Sequence, residues 1–176
     1  MRLAIWLLLV AALPLAGCRS YTWRSQVPER MRTVAVPTFR NESDVTELGA
    51  VAAGQVAREF QREGTFALRR AGESAIEIQG VIEKAMSSGR AYRRNTDMRN
   101  NEFTFTAQAK VSVIDKVHSK VLIDNRVYRA ETTYVANQDA LTGERNASGR
   151  LAEDLARQIV DDVTEFDFTE EEKSDE

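Results

Sequence analysis

Four arginines fall within ten positions, Arg90, Arg93, Arg94 and Arg99, with Asp97 as the only acid among them. Arginine presents a planar fork of N–H donors that pairs bidentately with phosphate or carboxylate oxygens, so such a cluster suits an anionic headgroup. Lys84 precedes it, and Tyr92 and Met98 place apolar surface between the charges. A solvated hairpin kept soluble by its charges accounts for the same residues and is the stronger reading from sequence. A third reading has the arginines meeting acidic groups of a protein partner. Elsewhere the chemistry thins out. His118 is the single histidine and sits in the turn-like stretch Val117-His118-Ser119-Lys120, where a solvated turn residue is expected rather than a general base. Carboxylates cluster only at the end of the chain, and an acidic run of that kind is a poor cage for a metal. There is no G-x-S-x-G, no glycine-rich phosphate loop and no serine with a plausible histidine partner. The chain is therefore expected not to be an enzyme, with no catalytic residues, no metal, no cofactor and no nucleic-acid partner.

One further reactive group remains, Cys18, the sole cysteine of 176 residues. Arg2 precedes a run of fifteen uncharged residues, Leu3 to Gly17. That run is short for a membrane-spanning helix, which takes about 20 apolar residues, and fits the apolar core of a signal peptide closed by small residues. Leu15-Ala16-Gly17-Cys18 resembles the lipobox of bacterial lipoproteins, which implies cleavage before Cys18 and lipid attachment to its thiol. A lone thiol forms no internal disulfide and is a liability in an oxidising compartment, which conversion to a thioether removes. Two or more acyl chains anchor stably. In lipoproteins of this kind an Asp after the cysteine commonly signals inner-membrane retention. Arg19 stands there instead, so the resemblance points to the outer membrane.

The net charge of −3 conceals two regions. Nine acidic residues fall between Asp161 and Glu176 against the single base Lys173, which leaves 22 basic and 18 acidic residues between Cys18 and Val160. The expected organisation is a signal peptide over 1–17, a lipidated terminus and linker over 18–32, one periplasmic domain over 33–165, and an acidic disordered tail over 166–176.

Within the domain two periodicities alternate. Thr33 to Phe39 reads as a short apolar strand ended by Pro37. Asp44 and Glu47 have the spacing of a helix-start capping pair. Leu48, Val51, Ala52, Gln55, Val56, Glu59 and Phe60 recur at helical spacing, and Gly64 is placed to stop that helix. Ile76 to Glu83 alternates as a strand. Phe103 to Val113 does so more clearly, with Thr, Gln, Lys and Ser on its other face. Lys116 to Lys120 makes a tight turn, and Val121 to Val135 forms a third long strand whose pattern slips near Asn125, as at a bulge. Leu151, Leu155, Ile159 and Val163 mark a closing helix whose start Gly143 and Gly149 obscure. The order β-α-β-β-β-α predicts an α+β two-layer sandwich: a four-stranded mixed sheet with two helices on one face.

Tyr21-Thr22-Trp23, the run from Pro28 to Ser43 (PERMRTVAVPTFRNES), the helix end Phe60-Gln61-Arg62-Glu63-Gly64, the strand EIQGVIEKA and the closing LAEDLARQIVDDV together resemble the lipopolysaccharide-assembly lipoprotein (LptE) family. The resemblance runs through nearly the whole mature chain in order. It implies a non-catalytic lipoprotein that sits inside a large outer-membrane β-barrel (LptD-like), plugs it, helps it fold and binds lipopolysaccharide, whose phosphates would be the anions for Arg90, Arg93, Arg94 and Arg99. The expected place is the outer membrane, lipid-anchored, facing the periplasm or within the barrel lumen. A compact body with a polar exterior suits a polar lumen. Two other envelope roles share a β-α-β opening. An activator of a peptidoglycan synthase would separate by its partner. A CsgG-like secretion pore needs membrane-spanning strands, which Lys and Thr opposite the apolar face disfavour.

Overall fold

The structure, a computed structural model, describes residues 27–90, 101–136 and 140–168. A 3-10 turn at Glu29–Met31 leads into β1 (Thr33–Ala35) and β2 (Arg40–Asn41). Helix α1 (Leu48–Glu63), β3 (Ala67–Leu68), the three long strands β4 (Ile76–Arg90), β5 (Asn101–Asp115) and β6 (Lys120–Ala136), and helix α2 (Ala140–Thr164) follow. The architecture is the expected α+β one, two helices and a mixed sheet. The sheet has six strands rather than four, in the order β3-β1-β4-β5-β6 with β2 also on β4. Both extra strands, β2 and β3, are two residues long, too short to show an alternating pattern.

Strands β1 and β2 are two pieces of one interrupted strand. Both run parallel to β4, the first beside Ile76 and Glu77 and the second beside Val81 and Ile82. Pro37 lies in the gap and cannot donate to a ladder. The interruption turns Phe39 inward, where its ring lies against Gly80 so closely that a Cβ there would stand 2.5 Å from ring carbons. Asn41 then shapes the approach to α1: its side-chain oxygen accepts from the Ser43 N–H at 3.0 Å and its amide donates to the Val45 carbonyl at 2.8 Å. The Asp44–Glu47 capping pair does not form. Glu47 is itself the residue before the helix, in the left-handed region at φ 69°, with no side-chain cap. At the other end Gly64 stops the helix as expected, at φ 87°, its N–H donating to the Phe60 carbonyl at 3.1 Å.

The three long strands are antiparallel neighbours. A bulge at Glu83 shifts the register between Ile82 and Lys84, so the inward set changes from Ile76, Ile78 and Ile82 to Ala85. The slip expected near Asn125 is present. Val111 pairs with Arg126 and Val113 with Ile123, which leaves an extra residue in β6, and Asn125 takes φ 46° there. Fifteen strand residues span about 50 Å. Helix α1 covers roughly 24 Å and α2 roughly 37 Å at 1.5 Å per residue, so the helical layer is shorter than the sheet it covers.

Both helices lie on one sheet face over a single core. Leu48, Ala52, Val56 and Phe60 of α1 and Leu151, Leu155, Ile159 and Val163 of α2 are buried with Ile76, Ile78, Ile82, Phe105, Ala109 and Val111 of the sheet. Phe60 meets Phe66 edge-on at 5.5 Å between centroids, Phe66 meets Phe168 at 6.2 Å, and Phe168 meets Phe166 at 5.0 Å. Phe168 is 1 % exposed. The domain boundary drawn before residue 166 therefore falls too early, because an acidic neighbourhood hid two aromatics that close the core. Val27 and Met31 are buried too, so the domain also begins inside the expected linker.

Candidate functional site

The hairpin that carries the arginine cluster is supported by structure further out than expected. Strand β4 continues through Ser87, Ser88 and Gly89 to Arg90, which pairs with Glu102 of β5. Arg90 is thus the last residue of a strand. Arg93, Arg94 and Arg99, with Tyr92 and Met98, lie outside the described residues, as does Cys18. What the structure describes is the end of the β4–β5 ladder at which residues 91–100 are joined to it. Phe103 stacks on Tyr134 with centroids 5.3 Å apart and planes 18° apart. The Tyr134 hydroxyl and Ser87 Oγ are 2.8 Å apart. Glycines let the parts approach: a Cβ at Gly89 would stand 3.2 Å from the Phe103 ring, and one at Gly143 would stand 3.0 Å from the Tyr134 ring. Gly143, which obscured the start of the last helix in the sequence, is where the first turns of α2 rest on β6.

The face of the sheet away from the helices carries a hydrogen-bonded chain of polar side chains. Lys110 Nζ lies 2.5 Å from Glu83 Oε1, Gln108 donates to the other Glu83 oxygen at 2.8 Å, and Arg129 Nε donates to Gln108 at 2.9 Å. Lys110, then Gln108, holds the Glu83 carboxyl below its ordinary value. The bulge at Glu83 turns this carboxylate onto the open face beside both partners. Between the polar groups stand Met86, Val121, Val127 and Val135, all exposed. The face is thus polar, with Lys110 paired to Glu83 and Arg129 held by the neutral Gln108 amide, and it carries scattered exposed apolar side chains.

His118 does not stand free in its turn. Its Nδ1 lies 2.6 Å from Asp115 Oδ2, and the other Asp115 oxygen accepts the N–H groups of Val117 and His118 at 2.7 and 3.2 Å. Burial works against ionisation of Asp115, but the His118 ring and these two backbone donors outweigh it and hold the carboxyl below its ordinary value. The pair closes a turn, with Ser119 at φ 55°. On the helix side Asp162 accepts from both Arg126 and the Tyr128 hydroxyl. Burial, then the Asp162 hydrogen bond, pushes the Tyr128 phenol well above its ordinary range. Neither Asp115 nor Asp162 was singled out by residue type and spacing: the first carries the local signal of an Asp two and three residues before turn amides, whereas the second meets its partners only through the fold. Among the described residues no three His, Cys, Asp or Glu side chains lie together as a metal site. No described helix is long and apolar enough to cross a membrane.

A family model for lipopolysaccharide assembly, LptE, matches residues 31–163. The chain belongs to the LptE family. The match begins at the 3-10 turn and ends in the last turn of α2, so it takes in both helices, the whole sheet and the arginine hairpin. It makes this a lipopolysaccharide-assembly protein of the cell envelope. No curated individual protein matches the chain in sequence. Among solved structures the LptE-family domain is similar to CT253 of Chlamydia trachomatis, at 13% identity and a TM-score of 0.54, over 77% of this chain and 97% of that one. It is similar also to a neuraminyllactose-binding hemagglutinin homolog from Helicobacter pylori, at 9% identity and a TM-score of 0.54, over 88% of this chain and 95% of that one. At such identities the likeness is one of fold.

Proposed function

We propose that this LptE-family chain is the non-enzymatic lipoprotein partner of the outer-membrane β-barrel that inserts lipopolysaccharide, plugging and supporting it from within its lumen. The observation that carries the reading is the family match across the entire folded core, residues 31–163. The open sheet face is compatible with it, since the Lys110–Glu83–Gln108–Arg129 chain offers a polar, hydrogen-bonded surface on which Lys110 is paired with Glu83. Such a face offers hydrogen-bond donors and acceptors to a polar barrel interior. Cys18 carries the acyl chains, and the anchor places the domain at the outer membrane.

Capture of the full mature chain, tagged and extracted from membranes in detergent, tests the reading. A large outer-membrane β-barrel should co-purify, and Cys18→Ala should abolish fatty-acid labelling. Recovery with a peptidoglycan synthase and no barrel would overturn the role. Within the same reading Arg90, Arg93, Arg94 and Arg99 hold lipopolysaccharide phosphates. Glu at both Arg93 and Arg94 should weaken lipopolysaccharide binding with native circular dichroism, and more strongly at low salt. Unchanged binding would return the loop to a solvated hairpin.

A further inference from the structure

Strand β6 closes one side of the sheet and, at seventeen residues, is a long edge. Edge strands of this length offer unpaired N–H and C=O groups to any other strand, and proteins cover, shorten or charge them. The opposite edge is the two-residue β3. Helix α2 treats β6 differently. Arg150 Nη2 donates to the Thr133 carbonyl at 2.9 Å, and Gln158 Nε2 donates to the Arg129 carbonyl at 3.0 Å. Both carbonyls belong to the set that points away from β5, and by the alternation of an antiparallel ladder the Glu131 carbonyl between them points the same way. The spacings agree. Four strand residues span about 13 Å and eight helix residues about 12 Å, so an α2 lying antiparallel to β6 places both donors in register. Asp162, four residues beyond Gln158, continues the row by binding Arg126 and Tyr128. Arg150 and Gln158 are themselves exposed. Their side chains reach across the rim of the sheet to its main chain.

We infer that α2 guards the β6 edge: Arg150 and Gln158 occupy its outward carbonyls and so keep a second copy of this chain from adding β6 to β6. The edge is otherwise suited to that event. A two-fold axis through Ala130 would set Arg129 of one copy opposite Glu131 of the other, twice, with both residues in the outward-bonding set. Opposite charges directly across a strand pair are stabilising. An unguarded β6 would therefore be self-complementary, and the guard is what leaves the chain single and free to meet a different partner. The inference does not depend on what that partner is.

The test removes both donors. The full mature chain in detergent micelles should sediment as one copy per complex. Arg150→Ala with Gln158→Ala should double the protein mass at equal concentration while circular dichroism stays native. Adding Glu131→Lys should reverse the association, because it sets a second cation against Arg129 of the other copy. A folded double variant that stays single overturns the guard, and so does association that survives Glu131→Lys. If the alanine pair loses its fold, Arg150→Met with Gln158→Met keeps the apolar stems and is judged by the same two outcomes.

Discussion

The two ends of the sheet are built on different plans. At one end β1, β3 and the last turns of both helices converge on Phe60, Phe66 and Phe168, every ring of which is buried. At the other end, among the described residues, α2 alone reaches over the long strands, and the Phe103–Tyr134 stack rests beside exposed Ser87 and Gly89. The first end holds the fold together. The second, by contrast, carries exposed Ser87, Ser88 and Gly89 at the end of β4. A β-ladder propagates order along its own length through main-chain hydrogen bonds, so β4 and β5 stay paired out to Arg90 and Glu102 although Ser87, Ser88 and Gly89 are exposed. Stability and display are thereby separated along one sheet.

Truncating one ring at each end probes that separation most strongly. Phe60→Ala should cost about 3–5 kcal/mol, the range for emptying a fully buried phenylalanine site. Phe103→Ala should cost less than half of that, because its ring is only partly buried. Urea unfolding midpoints compare the two, and equal losses would break the contrast between the ends.

Asp115, at the closed end, makes the difference visible in pH. Its carboxyl is held below its ordinary value in the folded state, so its contribution is present above the unfolded value, about 3.9, and is lost as pH falls through the folded one. Asp115→Asn should cost about 1.5–3 kcal/mol at pH 7, as for hydrogen bonds to a charged group, and flatten the acid limb of the stability profile. A wild-type limb that survives the substitution unchanged would assign acid sensitivity elsewhere.

Phe168 sharpens the boundary of that end. Deleting residues 168–176 should cost about 2 kcal/mol, the value of burying one such ring, whereas deleting 169–176 should leave the melting temperature almost unchanged. Equal melting temperatures for the two deletions would show that the ring contributes nothing. The smallest effect belongs to the hairpin end. Tyr134→Phe removes the hydrogen bond with Ser87 and keeps the stack, for about 0.5–1.5 kcal/mol. Amide exchange at the tips of β4 and β5 should rise in that variant while the closed end stays protected.

The elements with long periodic patterns were legible in the residues: α1 through Leu48, Ala52, Val56 and Phe60, the strands through Phe105, Ala107, Ala109 and Val111, and the bulge near Asn125 through a break in alternation. Those signals exist because one face of each element is buried, and burial imposes its period on the sequence. Strands β2 and β3 left no such signal, and the Asp44–Glu47 pair gave a misleading one, since Asn41 had already taken up the turn before α1. The arginine cluster was legible as a cluster, but the contacts of Ser87, Phe103, Tyr134 and Gly143 at that end of the sheet join four elements, β4, β5, β6 and α2.

By itself, then, the sequence determined what local chemistry can encode: a lipobox-like run ending at Cys18, an order of elements, a polar and an apolar face for each long strand, and membership of a lipopolysaccharide-assembly family through residues spread over the whole domain. Only the tertiary structure decided where the domain ends, which edge of the sheet is covered, and which charges are already spent. Phe168 reads as part of an acidic tail until its ring is seen against Phe66. Arg150 and Gln158 read as ordinary helix surface until α2 is laid along β6. The reason is the same in each case. A side chain's period along the chain reports the face it occupies, whereas its partner depends on distances set by packing between segments far apart in sequence.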